Sequence, residues 1–215
     1  MSALAYDPEC VFCDDNPRTV WAADGWKICS DPAPIAPGHL LLFTEAHYPS
    51  AADIEDEVSE TLDRLHAALT STLTADNTRF VVFEHGRTGH CIRSRPGERL
   101  CHHAHIHFIP TDVRLLDLVP FSQREAVSRW SEVAELGAET DGYALIGDER
   151  GIQFVPISHD LEPHYLRTVL ADAVGAPERA DWEHYAELPD AVEQARASHE
   201  FVRRIAASLA VPVDD

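Results

Sequence analysis

The stretch His103-Ala104-His105-Ile106-His107-Phe108-Ile109 sets histidine against apolar residues with a period of two. On a strand, alternate side chains share a face, so His103, His105 and His107 project together while Ala104, Ile106 and Phe108 pack behind. His102 is out of phase and should point the other way. Three imidazoles in a row make a poor packing surface, because each ring brings polar nitrogens that need partners. Neutral imidazole is both a nucleophile near neutral pH and a metal ligand. A chance cluster, or a strand that only binds metal, is the plain alternative.

Outward from this strand, the first 110 residues read as an α+β unit. Residues 18–30 form two short strands around a turn at Asp24-Gly25. Pro32, Pro34 and Pro37 then impose an extended loop, since each proline fixes φ and turns its predecessor away from helix. Gly38–Thr44 and Arg79–Glu84 are apolar strands, and Cys101–Ile109 is the strand of the histidines. Ser50 is a capping start, and Ile54, Val58, Leu62, Leu65, Leu69 and Leu73 form one helical stripe behind it. Beyond Pro110 the pattern turns mostly helical, over Phe121–Leu136, Leu161–Val174 and Asp190–Leu209. A hairpin over Tyr143–Ile157 turns at Asp148–Gly151. The division is residues 1–112, then a mostly helical C-terminal extension over 113–215 packed on the first part.

Composition narrows the function. The chain has 215 residues, with 17 Lys+Arg against 37 Asp+Glu and a formal net charge of −20. Such a field repels a polyphosphate backbone, so no nucleic-acid partner is expected. No apolar run approaches the ~20 residues that span a bilayer, so no membrane partner is expected either. The first ten residues carry two acids, no base and no apolar core, which is not a signal peptide, and a cytoplasmic location is expected. Five cysteines, an odd number, favour metal or reactive-thiol roles over a disulfide framework. Cys10 and Cys13 have the spacing that places two thiolates on one metal. Free cysteines in a turn are the alternative.

The triad resembles the signature of the histidine triad (HIT) superfamily, His-φ-His-φ-His-φ-φ. Pro37-Gly38-His39 followed by His47 resembles the family's Pro-Gly-His strand and its downstream histidine. Cys10-Val11-Phe12-Cys13 is similar to the N-terminal pair of zinc-containing members. The resemblance covers residues 8–110 and implies a HIT-like antiparallel sheet with a packed helix. It implies a nucleotide hydrolase or nucleotidyltransferase that cleaves a phosphoric anhydride or phosphoramidate. His105 would attack the α-phosphorus to form a nucleotidyl-histidine, and His107 would hold a non-bridging oxygen. Asp31 would accept the ribose hydroxyls and His39 would join the nucleotide site; a turn residue before Pro32 is the other reading of Asp31. The resemblance also implies a structural zinc on Cys10, Cys13, His47 and His103, with His102 as competitor for the last place. A purine nucleotide as substrate and a homodimer are further implications.

Two features depart from the family. The Gly-Gln-Ser/Thr run before the triad is replaced by Gly97-Glu98-Arg99-Leu100-Cys101-His102. Ahead of it, Arg87, Arg93, Arg95 and Arg99 lie in 13 residues with one acid, Glu98. Arginine forks bind phosphate oxygens bidentately, so Arg95 and Arg99 are candidate nucleotide-binding residues; a solvated loop with salt bridges is the bland reading. Arg167 could reach the site, although an arginine on a helix surface is commoner, and His85 is a candidate supporting residue. A non-catalytic nucleotide-binding or zinc-stabilised interaction protein is the alternative to an enzyme.

Overall fold

The computed structural model describes residues 6, 10–13, 16–87, 103–159, 161–162 and 164–209. Eight strands form one antiparallel sheet: β1 (Thr19–Ala23), β2 (Trp26–Ser30), β3 (Leu40–Thr44), β4 (Phe80–Glu84), β5 (His105–Pro110), β6 (Glu125–Val127), β7 (Gly142–Asp148) and β8 (Gly151–Ile157). Their order across the sheet is β1-β2-β3-β5-β4-β7-β8-β6. The histidine strand β5 lies between β3 and β4, with His107 opposite both Leu41 and Phe83, and His105 opposite Phe43. Opposed residues in an antiparallel ladder share a face. Leu41, Phe43 and Phe83 therefore flank the histidines, while Leu40, Leu42 and Val82 lie behind with Ile106 and Phe108.

The two faces are covered by different parts of the chain. On the rear face, α1 (Asp56–Ala75) packs Leu62, Leu65, Leu69 and Leu73 against Ile106, Phe108 and Val82. This is the stripe that its 3.6-residue period predicts. Helices α2 (Ser131–Ala138) and α4 (Ala191–Leu209) extend that layer through Val133, Val202 and Ile205. On the histidine face, α3 (Tyr165–Ala173) buries Leu166 and Leu170 against Val81, Phe83 and Ile146. The sheet is continuous across Pro110, because β7 pairs with the outer edge of β4 from Val81↔Asp148 to Glu84↔Leu145.

Several boundaries differ from the sequence reading. Ser50 does not cap α1; its Oγ donates to Asp53 in a single 3-10 turn, and α1 starts at Asp56. The helix expected over Phe121–Leu136 is a short strand followed by a shorter helix. Val127 pairs with Ile152 at the sheet edge, and the Trp130 N–H is held by Asp63 before α2 begins. The strand expected from Cys101 is regular only from His105. Ahead of it, Ala104 bonds through its own N–H and carbonyl to Tyr48 and Thr44 in the β3 exit loop.

Gly38 fixes how α4 meets the histidine layer. Its φ is +89°, and an added Cβ would fall 2.7 Å from Phe201 of α4 and 2.9 Å from Pro110. Ser198 of α4 donates to the His39 carbonyl, so the Pro-Gly-His segment is clamped from behind. Among the described residues no helix is long and apolar enough to cross a membrane.

Candidate functional site

His105 stands between two side-chain clusters on one face of the sheet. Its Nδ1 lies 2.7 Å from the His103 carbonyl, which can only accept, so Nδ1 carries the proton. The Nε2 lone pair is then the nucleophilic one. Burial holds its pKa below the ordinary histidine range, keeping the ring neutral. Phe12, between the two N-terminal cysteines, stacks on the ring at 4.8 Å and limits its rotation.

The first cluster is built from three chain segments. The Cys10–Cys13 turn closes through the Cys13 N–H on the Cys10 carbonyl. His47 comes from the loop after β3 and stacks on His103 at 4.9 Å. The His103 Nε2 lies 2.7 Å from the Thr44 carbonyl, so it is the protonated nitrogen and Nδ1 turns toward the sulfurs. Cys10 Sγ is 3.5 Å from that Nδ1, and Cys13 Sγ is 3.3 Å from His47 Nδ1 and 3.8 Å from His103 Nδ1. All four donor atoms lie within 4.8 Å of one another, and the group could hold a metal ion.

The second cluster joins Asp31, His39, His107 and Arg167. The His39 Nδ1 accepts the Ile35 N–H at 3.3 Å, which leaves the proton on Nε2. That nitrogen is 2.9 Å from His107 Nδ1 and 3.2 Å from Asp31 Oδ2. His107 Nδ1 is placed to accept that proton, which leaves Nε2 as the nitrogen to carry the His107 proton. Burial, reinforced by the Arg167 charge, pushes His39 down to about 3 and His107 well below the ordinary range. Burial alone would raise Asp31, but the His39 ring, the Arg167 guanidinium and the Ala33 N–H hold it low. These three residues also lie within metal-ligand range of one another. Their lone pairs are already occupied by each other and by a cation, which makes the group a hydrogen-bond chain.

A family model described as protein similar to CwfJ C-terminal matches residues 5–124, more than half of the chain. The chain belongs to that family. Among solved structures it is similar to a histidine triad protein from Clostridium difficile, at 23% identity over 50% of this chain and 94% of that one, TM-score 0.37. It is similar to a HIT-like protein involved in cell-cycle regulation from Bartonella henselae, at 19% identity over 49% and 82%, TM-score 0.36. It is also similar to yeast Ap4A phosphorylase, at 13% identity over 79% and 75%, TM-score 0.44. No curated protein matches the chain. The α+β antiparallel sheet with a packed helix expected from the triad is the fold of this family member.

The structure brings Cys10, Cys13, His47 and His103 together, and Asp31, His39 and His107 together. Asp31, expected at the ribose hydroxyls, is set among protein donors. The residue is only 4% exposed, Oδ1 accepts the Ala33 N–H at 2.7 Å, and Oδ2 accepts Arg167 Nη1 at 2.9 Å. The carboxylate thus faces protein donors. Of the two readings of the arginine run, Arg87 follows the salt-bridged one. Its guanidinium grips Asp53 at 2.7 Å and donates to the Gly137 carbonyl at 2.8 Å, tying β4 to the turn before α1. Arg93, Arg95, Arg99 and His102 lie outside the described residues, as does the rest of the Gly97–His102 run.

Three contributors carried little or no local signal. Arg167 is buried and also donates to the Ala33, Ala180 and Arg179 carbonyls. His85 packs edge-on to His107 and accepts the Leu166 N–H at the start of α3. Behind the sheet, Glu84 accepts the Ala51 N–H and the Tyr143 hydroxyl, and burial pushes its carboxyl up to about 7. The sequence raised Arg167 as able to reach the site and His85, the residue after β4, as a supporting one, and it gave no signal for Glu84.

Proposed function

We propose that this chain is a nucleotide hydrolase or nucleotidyltransferase acting at the α-phosphate through a covalent nucleotidyl-histidine on His105. The observation that carries the reading is the 2.7 Å bond from His105 Nδ1 to the His103 carbonyl, which leaves Nε2 as the lone-pair nitrogen of a neutral ring. A bond forms from Nε2 to phosphorus as the bond from phosphorus to the leaving oxygen or nitrogen breaks, and the leaving group departs with that electron pair. Water, phosphate or another acceptor then attacks the same phosphorus, loses its proton to solvent and releases His105. His107, with its proton on Nε2, donates to a non-bridging oxygen whose charge grows in the transition state.

The remaining residues take supporting roles. Asp31 and His39 orient His107 from within the protein, and Arg95 and Arg99 meet phosphates beyond the α-position. Cys10, Cys13, His47 and His103 hold zinc as a structural crosslink between the N-terminal turn and the start of β5. Zinc bonds of about 2.3 Å to sulfur and 2.0–2.1 Å to nitrogen put tetrahedral S and N donors about 3.5 Å apart. The Cys–His separations of 3.3, 3.5 and 3.8 Å fit that set. When bound, the ion supplies folding energy and a fixed Phe12 against His105.

The test is a labelled nucleotide with an activated leaving group: a dinucleoside polyphosphate, a nucleoside phosphoramidate or a nucleotide sugar. The nucleotidyl label should appear on His105, labile in acid and stable in mild base. His105→Asn should abolish the adduct and lower turnover by about 10³-fold or more. No adduct and no turnover across the panel, or label on another residue, overturns the reading.

A further inference from the structure

Two donors compete for one oxygen at the inner end of the histidine chain. Asp31 Oδ2 is 2.9 Å from Arg167 Nη1 and 3.2 Å from His39 Nε2. The Arg167 guanidinium makes the shorter contact and sets a cation against the carboxylate, so it takes that oxygen ahead of the neutral His39 ring. It is also fixed in place, because Nη2 donates to the Ala33 carbonyl at 2.7 Å and Nε to the Ala180 carbonyl at 3.1 Å. The His39 proton then has its shorter path to His107 Nδ1, at 2.9 Å.

We infer that Arg167, carried by α3 from the C-terminal part of the chain, is a positioning residue for His107. By saturating and anchoring Asp31, it directs the His39 Nε2–H to His107 and thereby holds His107 as an Nε2–H donor. Without Arg167, the buried Asp31 carboxylate becomes the stronger acceptor for that proton. His107 Nδ1 then loses its donor, and its tautomer is no longer set. Arg167 does not touch the reacting atoms in this scheme; it acts through Asp31 and His39.

The groups that face this chain are few and come from every neighbouring element. His39 faces Asp31, Arg167, His105 and His107, and His107 faces His39, His105, Arg167, His85 and, at 3.9 Å from its Nδ1, Asp31. Arg167 is the fixed cation among them, so its removal should raise the histidine values. An opposite or like charge within ~4–6 Å shifts a titration by about one unit or more.

The inference rests on the proposed reaction at His105 for its catalytic meaning, but its first readout needs no turnover. Long-range proton–nitrogen correlation spectra of ¹⁵N-histidine-labelled, metal-loaded full chain report the tautomer of each ring. In the wild type, His107 should carry its proton on Nε2 and His39 on Nε2. In Arg167→Met, His107 should become a tautomer mixture, and its titration or that of His39 should rise by about one unit. Arg167→Lys, which keeps the charge, should restore the wild-type titration at some cost in melting temperature. In kinetics, Arg167→Met should lower kcat by about tenfold, less than the ~10²–10³-fold cost of removing such a donor outright, because His107 no longer holds its Nε2–H in place, with KM little changed.

A wild-type His107 protonated on Nδ1 overturns the inference without any variant, so the result does not depend on whether Arg167→Met folds. So does a folded Arg167→Met whose His39 and His107 spectra match the wild type. If the tautomers are as stated and no nucleotide is turned over, the reaction at His105 fails while the positioning role stands.

Discussion

The two clusters on the histidine face use similar side chains to opposite ends. Cys10, Cys13, His47 and His103 on one side, and Asp31, His39 and His107 on the other, each bring their donor atoms within 4.8 Å. In the first, the His103 proton is taken by the Thr44 carbonyl, so a ring lone pair turns toward two sulfurs and a second ring nitrogen. In the second, each lone pair already meets a proton: Ile35 on His39, His39 on His107, and Ala33 and Arg167 on Asp31. A guanidinium at 2.9 Å from the carboxylate would also repel a metal ion. Convergence of ligand types is thus not enough; the direction of each proton separates a metal site from a hydrogen-bond chain.

The largest effect should come from opening the first cluster. Elemental analysis should find about one zinc per chain, and Cys13→Ser should lose it together with part of the ~10–16 kcal/mol typical of structural zinc sites. Fully folded, metal-free wild-type protein would remove the distinction between the clusters. Asp31→Asn should keep the metal and still lose ~3–5 kcal/mol, because Arg167 is left buried without its carboxylate. Metal loss in Asp31→Asn would show that the two clusters act as one.

A buried carboxylate on the other face of the sheet sharpens the contrast. Glu84 rises to about 7 from an ordinary 4.5, because burial outweighs the Ala51 and Tyr143 hydrogen bonds. A group raised on folding favours the native state fully below its unfolded value, and that contribution is lost as pH rises through the folded value. Asp31, held low, has the reverse sign: its contribution is present above the unfolded value and lost as pH falls. Urea unfolding of Glu84→Gln should therefore differ from the wild type in pH slope by roughly 1–3 kcal/mol between about pH 4.5 and about pH 7. An unchanged slope would place Glu84 among ordinary carboxylates. The smallest effect is expected from Thr44→Val, which removes an Oγ1 at 3.1 Å from His103 but leaves the carbonyl at 2.7 Å. It should cost ~0.5–1.5 kcal/mol and leave the zinc content intact; zinc loss would mean that the carbonyl alone does not orient the ring.

The strand of histidines, the α1 stripe and the 143–157 hairpin were all legible, because period and turn chemistry are properties of a few consecutive residues. The helix expected over 121–136 was not, since Val127 is drawn into the sheet by Ile152 on β8 and only Ser131–Ala138 coils. Ser50 failed as a cap for a similar reason: its hydroxyl is used by Asp53 at 2.6 Å, and Glu84 takes the next N–H. Arg87 read as one of a run of phosphate-binding cations, yet Asp53 and the Gly137 carbonyl claim it.

From the sequence alone, this protein has an α+β triad strand with His103, His105 and His107 in phase, preceded by a Pro-Gly-His loop and a Cys-x-x-Cys turn. Alternation along a strand depends only on the two-residue repeat of the backbone, so those side chains share a face whatever surrounds them. The tertiary structure decided what each ring does. His103 turns to the cysteines because the Thr44 carbonyl takes its other nitrogen, and His107 is held with Nδ1 2.9 Å from His39 Nε2. Arg167 meets Asp31 across 136 residues of sequence. Proton direction is set by partners that arrive from distant segments, and no local spacing encodes which of them will arrive.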